Sequence, residues 1–589
     1  MSADAWITVI VLVLAVAAMI RDVLAPASAM IGGTAILLLT GVIDADAAFA
    51  GFSNPAPITV ALLYIVAEAV SRTGVLRPLV GVALGGDRNE RSSLARILTP
   101  VSAASAILNN TPIVAMLVPE VQAWSSREGR AASRFLMPIS FAAILGGTLT
   151  LIGTSTNLIV SGLLAESGRE PLEFFEISAI GAPIAVIGIG LISLLAPILL
   201  PDRRSTSEDL GPSAREFVVD MVIVPDGPLD GERVETGGLR HLSGVFLVAI
   251  IRGPDAIAPV RPATTLRGGD RLRFVGRVED VVDLMDMPGL ASGEQDHFED
   301  LATSRLNFYE AVIGAASPLV GRTLKEAEFR GRYQAGVVAI HRAGQRVDAK
   351  LGEVSIQVGD TLVLVADARF RERWRDRGDF LLVSPFGSRP IERGPGTKRT
   401  VAITLPAIGL AALGVVPVLN AVLAAAVLLV ATRVLTPGQA KDAVDIDVVL
   451  TMAGGFGLAA AMQQSGLAQT IADGLVDSFG SLGAVGALLG VVVATLILTE
   501  LVSNTAAALL VFPIAVAAAE SIAADPRGFA IAVAVAASAS FLTPVGYQTN
   551  TMVYGPGGYR YLDYLRLGLP LTVTVTVVIL VLVPILWPL

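Results

Sequence analysis

The 589-residue chain has no cysteine, only three histidines and few charges for its length. The first absence excludes disulfides, thiol catalysis and cysteine-ligated metals. The histidines (His241, His297, His341) all fall in one central stretch, so no histidine relay can run through the apolar parts. Charged residues make up 16% and hydrophobic ones 53%. With a mean hydropathy of +0.68, the chain is too apolar for a soluble protein of this size.

What it has instead is hydrocarbon. Apolar runs lie at 5–20, 28–43, 57–71, 135–163, 176–200, 400–433, 447–462, 484–519, 527–553 and 565–588, from which about ten to twelve membrane crossings are expected. The first run lacks a small-residue cleavage site and leads into further spans, so it reads as a helix and not a signal peptide. Between Pro201 and Pro395 lie 26 Lys/Arg and 30 Asp/Glu, more than half of all the charge. That stretch is a soluble insert, so the net charge of −9 says nothing about membrane or nucleic acid, and no nucleic-acid partner is expected. Arginines in short loops such as GGDRNERSSLAR (Gly85 to Arg96) place those loops on the cytoplasmic side.

The two apolar halves repeat each other. Asn110-Thr111 aligns with Asn504-Thr505, offset 394; Thr156-Asn157 with Thr549-Asn550, offset 393; and Gly74 with Gly466, offset 392. Duplicated halves with interruptions at matching places are the pattern of secondary transporters, with the site where the repeats meet. An odd number of crossings per half would make the repeats inverted. The insert is duplicated as well: PLDGERVETGGLRHLSG from Pro228 matches PLVGRTLKEAEFRGRYQ from Pro318, and Asp270 matches Asp360, 90 residues on. Runs such as VFLVAII and TLVLVA read as strands, so each unit is a small α+β module. The domains are therefore transmembrane repeat 1 (1–200), two insert modules (201–300 and 301–395) and transmembrane repeat 2 (396–589).

Backbone that leaves helical geometry inside a bilayer must line a cavity or be buried in protein. Asn109-Asn110-Thr111-Pro112 and Ser503-Asn504-Thr505 each precede an apolar helix and carry N-cap residues. Both are expected to be tips of re-entrant hairpins, whose helix N-termini suit an anion. Gly153-Thr154-Ser155-Thr156-Asn157 and Gly546-Tyr547-Gln548-Thr549-Asn550 are expected to unwind their helices and present oxygens to Na⁺. A single Asn-Thr-Pro is most often a cap or kink; four breaks in paired register point to a site. Glu68, Glu120, Asp447, Glu500 and Glu520 lie in or beside apolar runs. An ionisable group at depth is a functional candidate. None has a carboxylate counterpart in the other half, so most are expected near the interfaces, with Glu500 the one to watch.

With these motifs the membrane part resembles the divalent anion:sodium symporter family of the wider ion-transporter superfamily. Ser503-Asn504-Thr505 matches the family's signature, Asn109-Asn110-Thr111 stands at its place in the first half, and TPVGYQTNTMVYGPGGYRYLDYLRLG (Thr543 to Gly568) is similar to its C-terminal pattern. The resemblance implies that Asn109, Asn110, Thr111, Ser503, Asn504 and Thr505 face the substrate, with Thr154 and Tyr547 nearby. It implies Na⁺ sites at Ser105, Asn110 and Gly153, and at Thr499, Asn504 and Gly546, with Asn157 and Asn550 at the helix breaks. Asn109 in place of Ser, and the absence of Pro-Pro beside the unwound asparagines, favour a sulfate-like oxyanion over a C4-dicarboxylate. The insert modules resemble the C-terminal ligand-binding domain of potassium-uptake regulators (RCK-C type). That implies a cytoplasmic location, pairing into a homodimer and a regulatory ligand, plausibly a nucleotide.

The expectation is thus a polytopic α-helical protein of the cell (inner) membrane with two inverted repeats, re-entrant hairpins and a cytoplasmic insert. Its function would be Na⁺-coupled uptake of a small divalent anion. The alternatives are a Na⁺/H⁺ antiporter, which needs a titratable carboxylate that the paired motifs lack, and a channel gated by the insert. The duplicated segments offer no nucleophile–base constellation, so an enzyme is not expected.

Overall fold

The computed structural model describes all residues except 22, 74–88, 129, 204–217, 240–244, 254, 258–259, 277–286, 293–305, 315–316, 343–344, 348, 350, 368–369, 375–377, 386–395, 480–482 and 589. Gly74, His241, His297 and the start of the loop from Gly85 lie outside the described residues.

Among the described residues, nine α-helices precede the insert. They are α1 (Ala3–Ile20), α2 (Pro26–Leu39), α3 (Ala45–Ser53), α4 (Pro55–Thr73), α5 (Glu90–Ser105), α6 (Asn110–Arg127), α7 (Leu136–Gly147), α8 (Ser155–Glu166) and α9 (Ser178–Leu199). Ten follow it: α10 (Thr397–Ala412), α11 (Val418–Ala431), α12 (Pro437–Ala443), α13 (Ile446–Gln464), α14 (Leu467–Phe479), α15 (Gly483–Leu501), α16 (Asn504–Ser521), α17 (Pro526–Ser538), α18 (Gln548–Tyr554) and α19 (Tyr561–Leu586). Seven stretches of helix are long and apolar enough to cross a membrane, and four shorter apolar helices accompany them. The expected ten to twelve crossings are not all single rods. Run 135–163 divides into α7 and α8, 484–519 into α15 and α16, and 527–553 into α17 and α18, because the polar motifs interrupt them.

Polarity is arranged for lipid. Leu39, Val186 and Leu413 are at least 74% exposed, whereas Thr495, Thr549 and Asn550 are fully buried. Unpaired polar groups are costly in hydrocarbon, so the hydroxyls and amides turn inward. The halves meet in one continuous core, where the Phe141 and Phe541 rings pack edge-on at 5.0 Å. Such a pair adds about 0.5–1.5 kcal/mol beyond its buried area. The last helix of each half presses on the segment before the break. A methyl added at Gly181 in α9 would stand 2.0 Å from Thr148 O, and one at Gly568 in α19 would stand 2.1 Å from Phe541 O. Only glycine permits these approaches.

Among its described residues, the insert holds two five-stranded antiparallel sheets. The first contains β1 (Val218–Ile223), β2 (Val245–Arg252), β3 (Asp255–Ile257), β4 (Arg271–Gly276) and β5 (Leu290–Ser292) in the order β3-β2-β4-β1-β5. The second contains β6 (Leu306–Val312), β7 (Gly336–Arg342), β8 (Gln345–Arg346), β9 (Thr361–Asp367) and β10 (Leu382–Pro385) in the equivalent order, β8-β7-β9-β6-β10. Both carry a register irregularity at the same place, Leu247/Ala249 in one and Val337/Ala339 in the other. The aspartates 90 residues apart do the same job. Arg252 grips Asp270 through Nε (2.8 Å) and Nη2 (2.7 Å), and Arg342 grips Asp360 through Nε and Nη2, both at 2.8 Å. Two parallel N–H···O bonds fix the turn before β4 and before β9.

Candidate functional site

Each polar tip starts a helix. Asn110 is the first residue of α6, and its N–H donates to Asn109 Oδ1 (2.8 Å). Asn504 opens α16, capped by Ser503 Oγ, which accepts from Ala506 N (3.3 Å). The non-helical segments 148–154 and 539–547 separate α7 from α8 and α17 from α18. Asparagines staple both. Asn157 Nδ2 donates to Gly147 O (3.0 Å) and Thr150 O (2.8 Å). Asn550 Nδ2 donates to Ser540 O (2.9 Å) and Thr543 O (3.2 Å). A side-chain amide thus replaces helix N–H groups that the break has removed.

The tips and the preceding helices also match. Ser105 Oγ donates to Ala143 O (2.8 Å) and lies against Asn110 Oδ1. Thr499 Oγ1 lies 2.6 Å from Ala537 O and 2.8 Å from Asn504 Oδ1, with one proton to share between the two oxygens. A methyl at Gly147 would be 3.2 Å from both Asn110 amide atoms and 3.4 Å from Gly153 O, so these oxygens share one small space. Hydroxyl, amide and carbonyl oxygens without formal charge make a donor set that a hard monovalent cation accepts. In the second half a methyl at Gly546 would meet Ser540 Oγ, Glu500 Oε2 and Thr543 Oγ1 within 3.0 Å.

The halves join across this centre. Asn110 Nδ2 donates to the Tyr547 hydroxyl (2.5 Å), which also bonds Thr154. Thr111 Oγ1 donates to Gln548 Oε1 (3.2 Å), and Ser155 Oγ lies 3.4 Å from Thr505 Oγ1. Ser140 Oγ reaches both Thr549 Oγ1 (2.8 Å) and Asn550 Oδ1 (2.7 Å). Asn504 Nδ2 is buried with no partner. A buried amide donor left unmade costs about 1–3 kcal/mol, so this atom is poised for an acceptor.

Asn109, Thr111, Thr154, Ser503, Asn504, Thr505, Gly546 and Tyr547 line one cavity of 1780 Å³. Ser105, Asn110, Gly153, Asn157, Thr499 and Asn550 stand behind that wall. The same cavity touches Glu68, Glu120, Asp447 and Glu500, the last of these being the carboxylate that the sequence singled out. Glu500 Oε1 accepts from Leu542 N and Oε2 from Thr543 Oγ1, both at 2.8 Å. A titratable carboxylate therefore adjoins the second break. Glu520 lies apart, paired with Arg169 at 2.5 Å. Three further participants were not among the residues singled out from the sequence. Tyr64, inside an apolar run, bonds Asn109; Asp445, the N-cap of α13, bonds Gln548; and Ser140 sits in mid-helix. Of the three, only Asp445 was findable, as a capping residue ahead of an apolar run.

The family model described as "Citrate transporter" matches residues 10–534. The chain belongs to the citrate transporter family. A relative from Chlamydomonas reinhardtii, named "Putative sulfur deprivation response regulator", is 36% identical over 94% of this chain and 97% of its own length. Sodium/sulfate cotransporter 2 of the same organism is 24% identical over 89% of this chain and 83% of its own. Among solved structures, the Alcanivorax borkumensis YdaH transporter matches with a TM-score of 0.43 and 13% identity, covering 93% of this chain and 87% of that one. This family member is a multi-pass membrane transporter of the ion-transporter kind, and its relatives support anion and sodium transport.

Proposed function

We propose that the protein imports a small divalent oxyanion, sulfate-like in preference to a C4-dicarboxylate, by coupling to Na⁺. The observation that carries this is the unpartnered, buried Asn504 Nδ2 at the start of α16, on a residue that lines the cavity beside oxygens suited to a cation. An anion oxygen would complete the amide and gain the N-terminal dipole of the helix. Na⁺ at Ser105, Asn110 and Gly153, and at Thr499, Asn504 and Gly546, would offset its charge. In this reading Asn109, Thr111, Ser503, Thr505, Thr154 and Tyr547 border the anion, and Asn157 and Asn550 hold the unwound segments. The halves act as inverted repeats that expose the site alternately to either side. The insert modules, RCK-C-like and cytoplasmic, pair in a homodimer in the cell (inner) membrane and report a small ligand such as a nucleotide. The test is uptake of labelled sulfate, succinate and citrate into proteoliposomes, with Na⁺ or choline outside. Sulfate uptake that requires Na⁺ is expected; uptake of none of the three, or uptake indifferent to Na⁺, would contradict the proposal.

Glu500 favours one second reading, in which a proton replaces one Na⁺. Sulfate uptake driven by an inward pH gradient without Na⁺, and lost in Glu500→Gln, would select it.

A further inference from the structure

The two insert modules share a topology but not a footing. The first has a core drawn wholly from its own strands and turns, Met221 to Leu290. The second sends Val312 of β6 and Leu382 of β10 into the main membrane-side core, with Leu381 packed beside them. Glu310 of β6 is buried against α6, accepting from Gln122 Nε2 at 3.4 Å. At the end of α18 side chains pack directly on glycine backbone. A methyl at Gly359 would come 3.1 Å from the Tyr554 ring, and one at Gly555 would come 2.0 Å from Thr361 Oγ1. The chain leaving α9 is tied down at the same end, since Arg203 Nη1 donates to Gly558 O (2.7 Å) and Asp563 Oδ2 (2.6 Å).

α6 and α18 are the helices that begin at Asn110 and Gln548. The second module therefore packs on the far parts of two of the helices whose near ends build the site. It also lines the cavity, through Ser317, Gly378 and Leu382, together with Leu24 and Glu68 from the first helices. We infer that the second module is mounted on the α6–α18 pair, moves with it as one body, and forms a travelling wall of the route to the site. The inference rests on the alternating-access reading above. It makes this module, and not the first, the part through which any ligand of the insert acts on the site. A packed interface with no slack transmits displacement instead of absorbing it.

The native absence of cysteine makes the test clean. In Val358→Cys/Tyr554→Cys, a short bifunctional thiol reagent should bridge module and α18 and leave Na⁺-dependent uptake within about twofold of the unlinked protein. Spin labels at Leu24→Cys and Gly378→Cys should change separation between Na⁺ plus sulfate and choline by about 5 Å or more, the scale of a one-turn displacement. Gly378 has open space for the new side chain. Loss of uptake on bridging, or an unchanged Leu24–Gly378 distance, would overturn the inference. If wild-type protein carries none of the anions, the distance is compared between Na⁺ alone and choline, which needs neither flux nor sulfate binding, and an unchanged value overturns the inference. Failure of wild-type uptake would instead count against the transport reading.

Discussion

The two helix breaks answer the same problem with different chemistry. In the first, Thr150 Oγ1 donates to the backbone carbonyl of Ala106. In the second, the equivalent Thr543 Oγ1 donates to the Glu500 side chain, 394 residues beyond Ala106. The first tip spends its amide donor on Tyr547, while the second leaves Asn504 Nδ2 free. A frame of neutral bonds is thus duplicated, and function is concentrated where the copies differ. The second copy carries the carboxylate at its break and the unsatisfied amide donor at its tip.

The largest effect should come from breaking that difference at its centre. Asn504→Ala removes both the free donor and the oxygen facing Thr499, and should lower sulfate uptake at least ~100-fold, for a loss of about 3 kcal/mol. Asn110→Ala should also abolish measurable uptake, because its amide serves a cation and Tyr547 together. Flux assays at matched expression check both; near-normal flux in either would break the assignment.

Glycine substitutions separate frame from function. A Cβ at Gly153 would lie 2.5 Å from Gly147 O, whereas at Gly546 the nearest atoms are the ends of the Ser540, Glu500 and Thr543 side chains. Backbone cannot yield and side chains can. Gly153→Ala should therefore lower thermal stability by several degrees, while Gly546→Ala folds with a smaller shift but weaker Na⁺ dependence. Equal shifts in the two melting curves would erase the contrast.

Removing one neutral ligand should act on the cation alone. Ser105→Ala and Thr499→Ala are each expected to raise the Na⁺ concentration for half-maximal uptake severalfold, with a smaller change in maximal rate. An unchanged Na⁺ titration in both would remove these hydroxyls from the cation sites.

A stability measurement tests the insert, with no expected effect on the site's own chemistry. Burial pushes the Glu310 carboxyl up to about 7, opposed by the Gln122 amide. Because the folded-state value lies above the usual carboxylate range, the folded protein binds the extra proton, and stability falls as pH rises from about 4.5 to about 7. The swing is on the order of 3 kcal/mol at most. Glu310→Gln should flatten that part of the melting-temperature profile and stabilise the protein at pH 8. A profile identical to wild type would place Glu310 in a wetter setting.

Much of the frame was legible because polarity is conspicuous in an apolar chain. Asn110, Asn504, Asn157 and Asn550 stood out in paired register, and each now has a bond to account for it. Repetition also exposed Asp270 and Asp360 before their arginine partners were visible. The rest needed three dimensions. Gln122 and Glu310 are 188 residues apart, and neither looks unusual alone. Tyr64 is one aromatic among apolar neighbours until Asn109 is placed beside it. Glu500 stood out as a carboxylate in an apolar run with no counterpart in the other half, but its bonds to Leu542 N and Thr543 Oγ1 needed the fold.

On the proposed reading both tips border the anion, the Asn504 amide completes its binding, and both tips hold Na⁺. Equilibrium binding of radiolabelled sulfate to the purified protein tests it most directly, with Na⁺ or choline, in wild type, Asn110→Ala and Asn504→Ala. Saturable binding that needs Na⁺ and disappears in both variants is predicted. Sulfate binding that persists in choline, or survives in Asn504→Ala, would contradict the account.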